Sequence, residues 1–108
     1  ERHADNQLAS HRSGSLDDMI AAPASAQKPA GQWNQLKIGL QQQQLTIWQN
    51  QLQTADIQIN GPEWQQLLAS SKFANWAGFA KADRGHIGLQ DHGDQVWFKN
   101  IKIRELKP

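Results

Sequence analysis

The 108-residue chain carries a net charge of +1 and contains no cysteine. Near neutrality argues against a protein that holds nucleic acid by electrostatic attraction, and the lack of thiols excludes disulfides and thiolate metal sites. Hydrophobic residues make up 38% of the chain, and no apolar run approaches the roughly 20 residues needed to cross a bilayer. We therefore expect one small domain with a thin core, no nucleic-acid partner and no membrane span.

The first thirty residues are mostly polar or small. The stretch from Ser15 to Ala22 fits a short helical turn, with Ser15 as its N-cap and Pro23 as its stop. The small residues from Ala24 to Ala30 indicate a surface connector. We expect residues 1–30 to be loop and connector, and residues 31–108 to hold the strands and one helix.

Alternating apolar residues predict three strands in the middle of the chain. Leu36, Ile38 and Leu40 lie two residues apart, which is the period of a half-buried strand. The glutamines at 41–44 fit a hairpin turn, followed by a strand from Leu45 to Gln49. A turn at 50–51 then leads to a third strand over 52–59.

The apolar period changes after Asn60. Trp64, Leu67 and Leu68 follow the i, i+3, i+4 spacing of a helix, and Pro62 suits its first turn. This pattern predicts a helix from Pro62 to Ser71, followed by a loop to Arg84. The chain then reads as strand, polar turn and strand, with the turn at 90–94 and the last strand over 96–103.

The inventory of elements predicts an all-β, antiparallel sandwich with one or two short helices. Five or six strands are too few for a complete sandwich, so one apolar sheet face would lack an opposing sheet to pack against. Either the chain is a fragment of a larger domain or another chain completes it.

The polar turn at 90–94 is the strongest candidate for a catalytic or binding site. Asp91 and His92 pair a carboxylate with an imidazole that exchanges protons near neutral pH. His3 and Asp5 form a second such pair near the start of the chain. Asp and Gly are also ordinary turn formers, so a solvated hairpin loop is the competing interpretation.

Other residues could serve a sugar or a metal ion. Gln90 could bind a sugar hydroxyl, and Trp33 could stack on a sugar ring, whereas Trp48 and Trp97 suit a core better because tryptophan is largely buried on average. We expect Lys99, with Lys102 and Arg104, to form the solvated face of the last strand. A divalent ion could be held by carboxylates and imidazoles, here Asp91, His92, His3 and Asp5, although no local metal-ligand spacing is present.

Four segments together carry a resemblance to a known family: Lys28-Pro29-Ala30-Gly31-Gln32-Trp33-Asn34, Ile47-Trp48-Gln49-Asn50, Ser71-Lys72-Phe73, and the run from Gly85 to Arg104 with its Leu-Gln-Asp-His-Gly-Asp core. They resemble the C-terminal half of the 3-keto-disaccharide hydrolase family, and the resemblance covers nearly the whole chain. The chain departs from that pattern in its turns: Gln41 to Gln44 replace a tight hairpin, and Gln51 replaces a glycine.

The resemblance implies a concanavalin-like jelly roll whose N-terminal half this chain lacks, in a periplasmic or secreted protein. It implies hydrolysis of 3-keto-glycosides or 3-keto-disaccharides, by elimination and then hydration. The expected catalytic residues are His92, Asp91 and His3, and the expected substrate-binding residues are Gln90, Asp5 and Trp33. The alternatives are a non-catalytic carbohydrate-binding module and a structural fragment that is inactive alone.

Overall fold

The computed structural model describes residues 9–82, 84–91 and 93–106. Short 3-10 turns at Ala9–His11 and Ala24–Ala26 precede the larger elements. The larger elements in the described ranges are β1 (Leu36–Gln41), β2 (Gln44–Gln49), β3 (Leu52–Gln58) and α1 (Pro62–Ala69). The strands form one antiparallel sheet in the order β1-β2-β3, which confirms the antiparallel, β-rich class.

Two hairpin turns of two residues each connect the strands, where the sequence predicts them. Gln42 and Gln43 have φ angles of 51° and 65°, and Asn50 and Gln51 have φ angles of 51° and 71°. Positive φ at both central residues is the geometry that matches the twist of a tight hairpin. Glycine or asparagine suits this left-handed conformation, so the glutamines adopt it at an energetic cost.

One face of the sheet is apolar, because residues opposite each other in an antiparallel pair share a face. Leu40, Leu45 and Ile57 lie in one such row across the three strands. Ile38, Ile47 and Ala55 form the next row. On the other face, Thr46 Oγ1 donates a hydrogen bond to Asp56 Oδ1 over 3.0 Å, which is consistent with a solvated surface.

A β-bulge in β3 attaches the preceding loop to the sheet. Ile47 pairs with Ala55 whereas the next residue, Trp48, pairs with Gln53, so Thr54 is the extra residue. Thr54 is buried, and its hydroxyl donates to the carbonyl of Gly14 over 2.6 Å. The loop around residue 14 is therefore held against the end of the sheet.

The core covers β3 and part of β2 but leaves β1 bare. Its buried members are Met19, Ile57, Trp64 and Phe73, and the ring of Phe79 stacks on that of Phe73 with centroids 4.2 Å apart. Pro62 opens α1 at its first turn, as predicted. The β1 residues that share this apolar face remain exposed: Leu36 (55%), Ile38 (61%) and Leu40 (57%).

The predicted helical turn over 15–22 is wrong. Leu16 and Ile20 instead form an isolated antiparallel bridge, and Asp18 between them has a φ angle of 59°, which a right-handed helix does not allow. The Ser15 hydroxyl does not cap a helix and instead accepts a hydrogen bond from the N–H of Ala22 over 2.8 Å. Among the described residues, no helix has both the length and the apolar character needed to span a membrane.

The two strands predicted after residue 84 are also absent from the described residues 84–91 and 93–106. Asn100 has a φ angle of 56°, which interrupts the extended conformation that the alternation over 96–103 predicts. An extended segment also needs a neighbouring strand for its backbone hydrogen bonds. Trp97 is 66% exposed, so its expected place in a core is wrong, and Trp48 is only half-buried.

Candidate functional site

A groove of about 1050 Å³ lies between the connector before β1 and the segment after residue 89. Residues 27–28 and 30–34 line it from the connector, with Trp33 and Asn34 among them, and residues 90–91 and 94–98 line it from the later segment. Ser13 adds a hydroxyl from the loop that the β3 bulge holds. The groove thus brings three separate parts of the chain together.

Three of the predicted site residues line this groove. Trp33 comes from the connector, and Gln90 and Asp91 come from the polar segment more than fifty residues later. The remaining predicted residues are His3, Asp5 and His92, and they lie outside the described residues. Their roles stay predictions.

Trp33 is half-exposed and meets a cation from the opposite segment. The ammonium of Lys99 lies 4.2 Å from the centroid of the Trp33 ring, within the range of a cation–π contact. Lys99 is exposed, as predicted, but it does not belong to a strand. Its contact joins the connector to the segment that carries Gln90 and Asp91.

A network of side-chain amides holds the connector. Asn34 Oδ1 accepts hydrogen bonds from the backbone N–H of Lys28 at 2.7 Å and from Asn50 Nδ2 at 2.9 Å. Asn34 Nδ2 donates back to the carbonyl of Lys28 over 3.2 Å. Asn50 also donates to the carbonyl of Ala26 at 2.7 Å and accepts from the N–H of Gln35 at 2.8 Å.

Gln49 lies beneath this network and is almost completely buried. Its Nε2 donates to Ser13 Oγ over 2.8 Å and makes a longer contact of 3.4 Å with Asn34 Oδ1. Gly14 packs directly on the Gln49 side chain, and a Cβ at residue 14 would overlap Gln49 Oε1. Gln49 therefore connects two groove-lining segments through buried polar contacts.

Further groove residues were not among the predicted site residues. Asp94 places a second carboxylate on the same segment as Asp91, Lys28 lies on the connector side, and Trp97 adds an exposed ring. The dense polar turn signals Asp94, but no local pattern distinguishes Lys28 or Asn34 from ordinary loop residues. Chemically, the groove offers carboxylates that can accept protons, amides that can hydrogen-bond and aromatic rings that can pack on an apolar face.

A second polar cluster lies outside the groove lining. Asp18 Oδ2 accepts the backbone N–H of Lys72 over 2.6 Å, and Asp18 Oδ1 accepts from His11 Nε2 over 2.9 Å. The backbone hydrogen bond from Lys72, followed by that from His11, holds the pKa of Asp18 below its ordinary value. Asp17 adds an ion pair with Lys72 Nζ at 2.8 Å, so the cluster fastens the loop before the sheet to the loop after α1.

No group of three His, Cys, Asp or Glu side chains that could hold a metal ion occurs among the described residues. Of the four ligands that the sequence suggests, Asp91 alone lies in those ranges. A metal site built from Asp91, His92, His3 and Asp5 therefore stays a prediction.

These observations define the class of protein as an antiparallel, β-rich domain that carries a polar groove with aromatic rings. Residues 1–104 match the family described as the 3-keto-alpha-glucoside-1,2-lyase-like domain, and the chain belongs to this family. It is also 34% identical to a 3-keto-disaccharide hydrolase of Bacteroides thetaiotaomicron. That similarity covers 98% of this chain, and the chain spans 41% of the relative's length. The family resemblance seen in the sequence is confirmed.

Proposed function

We propose that this chain contributes the substrate groove of an enzyme that hydrolyses 3-keto-glycosides or 3-keto-disaccharides. One observation carries the proposal: Trp33 lines the same groove as Gln90 and Asp91, which follow it by more than fifty residues. The family match and the name of the Bacteroides relative suggest the substrate class. The resemblance of the sequence to this family is the basis for proposing a periplasmic or secreted protein.

The proposed reaction begins with the acidity that a C3 ketone confers on the C2 proton. A general base removes that proton, the electron pair forms the C1–C2 double bond, and the aglycone leaves from C1 with a proton from a general acid. Water then adds across the double bond, so the net reaction is hydrolysis. We assign the acid and base roles to Asp91, His92 and His3 as a group, without specifying which residue is the acid and which is the base.

The enolate formed at C3 requires a group that stabilises its negative charge. Gln90 lines the groove, and its side-chain amide could donate a hydrogen bond to the enolate or to a sugar hydroxyl. Trp33 would pack on a ring face, with Asp5 as a further substrate-binding residue. A divalent ion bound by carboxylates and imidazoles is a second candidate for charge stabilisation at the same place.

We further propose that a second sheet covers the apolar face and completes a concanavalin-like sandwich. The exposed Leu36, Ile38 and Leu40 of β1 support this cover, because contiguous apolar surface indicates an interface. The strand-like alternation over 96–103, which lacks a paired neighbour among the described residues, supports it too. An N-terminal part of the same domain, on this polypeptide or another, is the proposed source.

The alternative is a carbohydrate-binding module without catalysis. The exposed rings of Trp33 and Trp97 on the groove favour it, because aromatic platforms suffice for binding whereas turnover needs an acid and a base. Binding that persists in variants without Asp91 and His92, with no turnover in the unaltered protein, would identify the module.

The deciding experiment is release of the aglycone from a 3-keto-disaccharide by the intact protein. We expect turnover of the 3-keto substrate and none of the same disaccharide with a C3 hydroxyl, because only the ketone acidifies the C2 proton. Assays with and without a chelator test whether turnover requires a divalent metal ion. Equal turnover of both sugars would contradict the elimination mechanism. No turnover of either sugar would contradict the proposed enzymatic activity.

A further inference from the structure

The connector that carries Trp33 has no regular secondary structure between residues 27 and 35. Such a segment is not held in place by a ladder of backbone hydrogen bonds, so something else must fix its path. Four hydrogen bonds described above join backbone groups in or next to this segment, at Ala26, Lys28 and Gln35, to the side-chain amides of Asn34 and Asn50.

Asn50 is unusually well suited to this task. Both hydrogens of its Nδ2 are used, one toward Ala26 and one toward Asn34, and its Oδ1 accepts the N–H of Gln35. Its own backbone N–H also donates to the carbonyl of Gln35 over 2.8 Å. Asparagine is one of the few residues that combine this amide with a φ angle of 51°.

Asn34 is the neighbour of Trp33 in the chain and the centre of the network. Its Oδ1 receives N–H groups from the connector itself and from the β2–β3 turn. The buried side-chain amide of Gln49 also approaches the same oxygen. Any displacement of Asn34 would therefore move Trp33 relative to the opposite side of the groove.

We propose that Asn34 and Asn50 are positioning residues that fix the connector and so hold Trp33 opposite Gln90 and Asp91. The importance of this position for a substrate rests on the proposed function. The amides act through the backbone and need not touch the sugar. Loss of either side chain should weaken substrate binding more than it slows the chemical step, because Trp33 contributes binding surface whereas the proton transfers belong to other residues.

The test compares Asn34→Ala and Asn50→Gly with Gln35→Ala in the intact protein. Glycine keeps the left-handed turn at residue 50, and Gln35→Ala removes an exposed connector side chain while keeping its backbone N–H. Amide hydrogen exchange should become faster at Lys28 in Asn34→Ala and at Gln35 in Asn50→Gly, while β2 stays protected. We expect KM for the 3-keto-disaccharide to rise about tenfold with kcat changed by less than about threefold.

Asn50→Asp provides a conservative variant that keeps the acceptor for Gln35 and loses both donors. It should protect the Gln35 amide but leave KM elevated. Unchanged exchange at Lys28 and Gln35, or equal effects from Gln35→Ala, would overturn the proposal. Faster exchange with an unchanged KM would overturn it as well. If the unaltered protein shows no turnover, the proposed function fails, and exchange together with the Trp33 indole NMR signal decides whether the amides position Trp33.

Discussion

The carboxylate of Asp18 accepts the backbone N–H of Lys72 across 54 positions of the sequence, over a distance of 2.6 Å. The same carboxylate accepts from His11 Nε2 at 2.9 Å. A charged acceptor strengthens both hydrogen bonds. Asp18 thereby joins the loop before the sheet to the loop that follows α1.

Asp18→Asn should lower the melting temperature at pH 7. Asparagine tolerates the φ angle of 59°, so the variant isolates the loss of charge from backbone strain. Because the pKa of Asp18 is lowered in the folded state, its stabilisation is complete above the pKa of the unfolded chain. The stabilisation disappears as the pH falls through the folded pKa, below about pH 4.

Thermal unfolding between pH 7 and pH 2.5 measures this effect. The difference in melting temperature between Asp18→Asn and the parent should shrink as the pH is lowered through the acid range. Glu105→Gln, which changes an exposed carboxylate, serves as the control and should melt like the parent at pH 7. A difference for Asp18→Asn that stays constant with pH would contradict the role of its charge.

Gln43→Gly should stabilise the fold by about 1 kcal/mol. Gln43 has a φ angle of 65° in the β1–β2 turn, and glycine adopts that angle without a steric penalty. Chemical denaturation gives the free energy of unfolding. Gln65→Gly in the exposed middle of α1 should instead destabilise by about 1 kcal/mol, so the two glycine variants are expected to have opposite signs.

His92→Ala should lower turnover of a 3-keto-glycoside at least about tenfold, the lower range of general acid–base effects. The proposed proton transfers require an ionisable group in the polar segment beside Asp91. Steady-state kinetics on the intact protein, with circular dichroism to check folding, provide the measurement. His86→Ala, which removes an exposed imidazole outside the groove lining, is the control. Normal turnover in folded His92→Ala would eliminate this residue as an acid or base.

In the isolated 108-residue chain, shortening apolar side chains on the two edge strands, β1 and β3, should change stability and self-association differently. Ile57→Ala removes a side chain that is 2% exposed and should cost about 2–5 kcal/mol. Ile38→Ser should cost far less and should reduce the binding of a hydrophobic dye and self-association, because Ile38 is exposed. Lys37→Ser on the polar face is the control for Ile38→Ser.

That experiment also tests the proposed second sheet. In the isolated chain we expect dye binding, oligomers or aggregation, since β1 presents uncovered apolar surface. A monomer that binds no dye and unfolds cooperatively would contradict the need for a cover.

Apolar spacing predicts β1, β2 and β3 by alternation and α1 by its helical period, to within two residues of their observed ends. The same signal failed over 96–103, since alternation describes which residues could share a face but not whether a neighbouring strand is available. The turn residues were predicted in place, although glutamine gave no sign of the positive φ angles at Gln42 and Gln43.

The candidate site was predictable in part. The polar segment and the family resemblance pointed to Gln90, Asp91 and Trp33, and all three line the groove. The network of Asn34 and Asn50 was not predictable, because its hydrogen bonds join residues 6 to 24 positions apart and depend on how the turn meets the connector. Amides in loops have too many possible partners for their sequence to specify one.

Gly14 constrains the mutational history of the groove. Its φ angle is 86°, and any Cβ there would displace the buried amide of Gln49, which contacts Ser13 and Asn34. Among random single substitutions at residue 14, every replacement meets both obstacles at once. Diversification of this groove by drift should therefore proceed through residues around Gly14 and leave Gly14 itself unchanged.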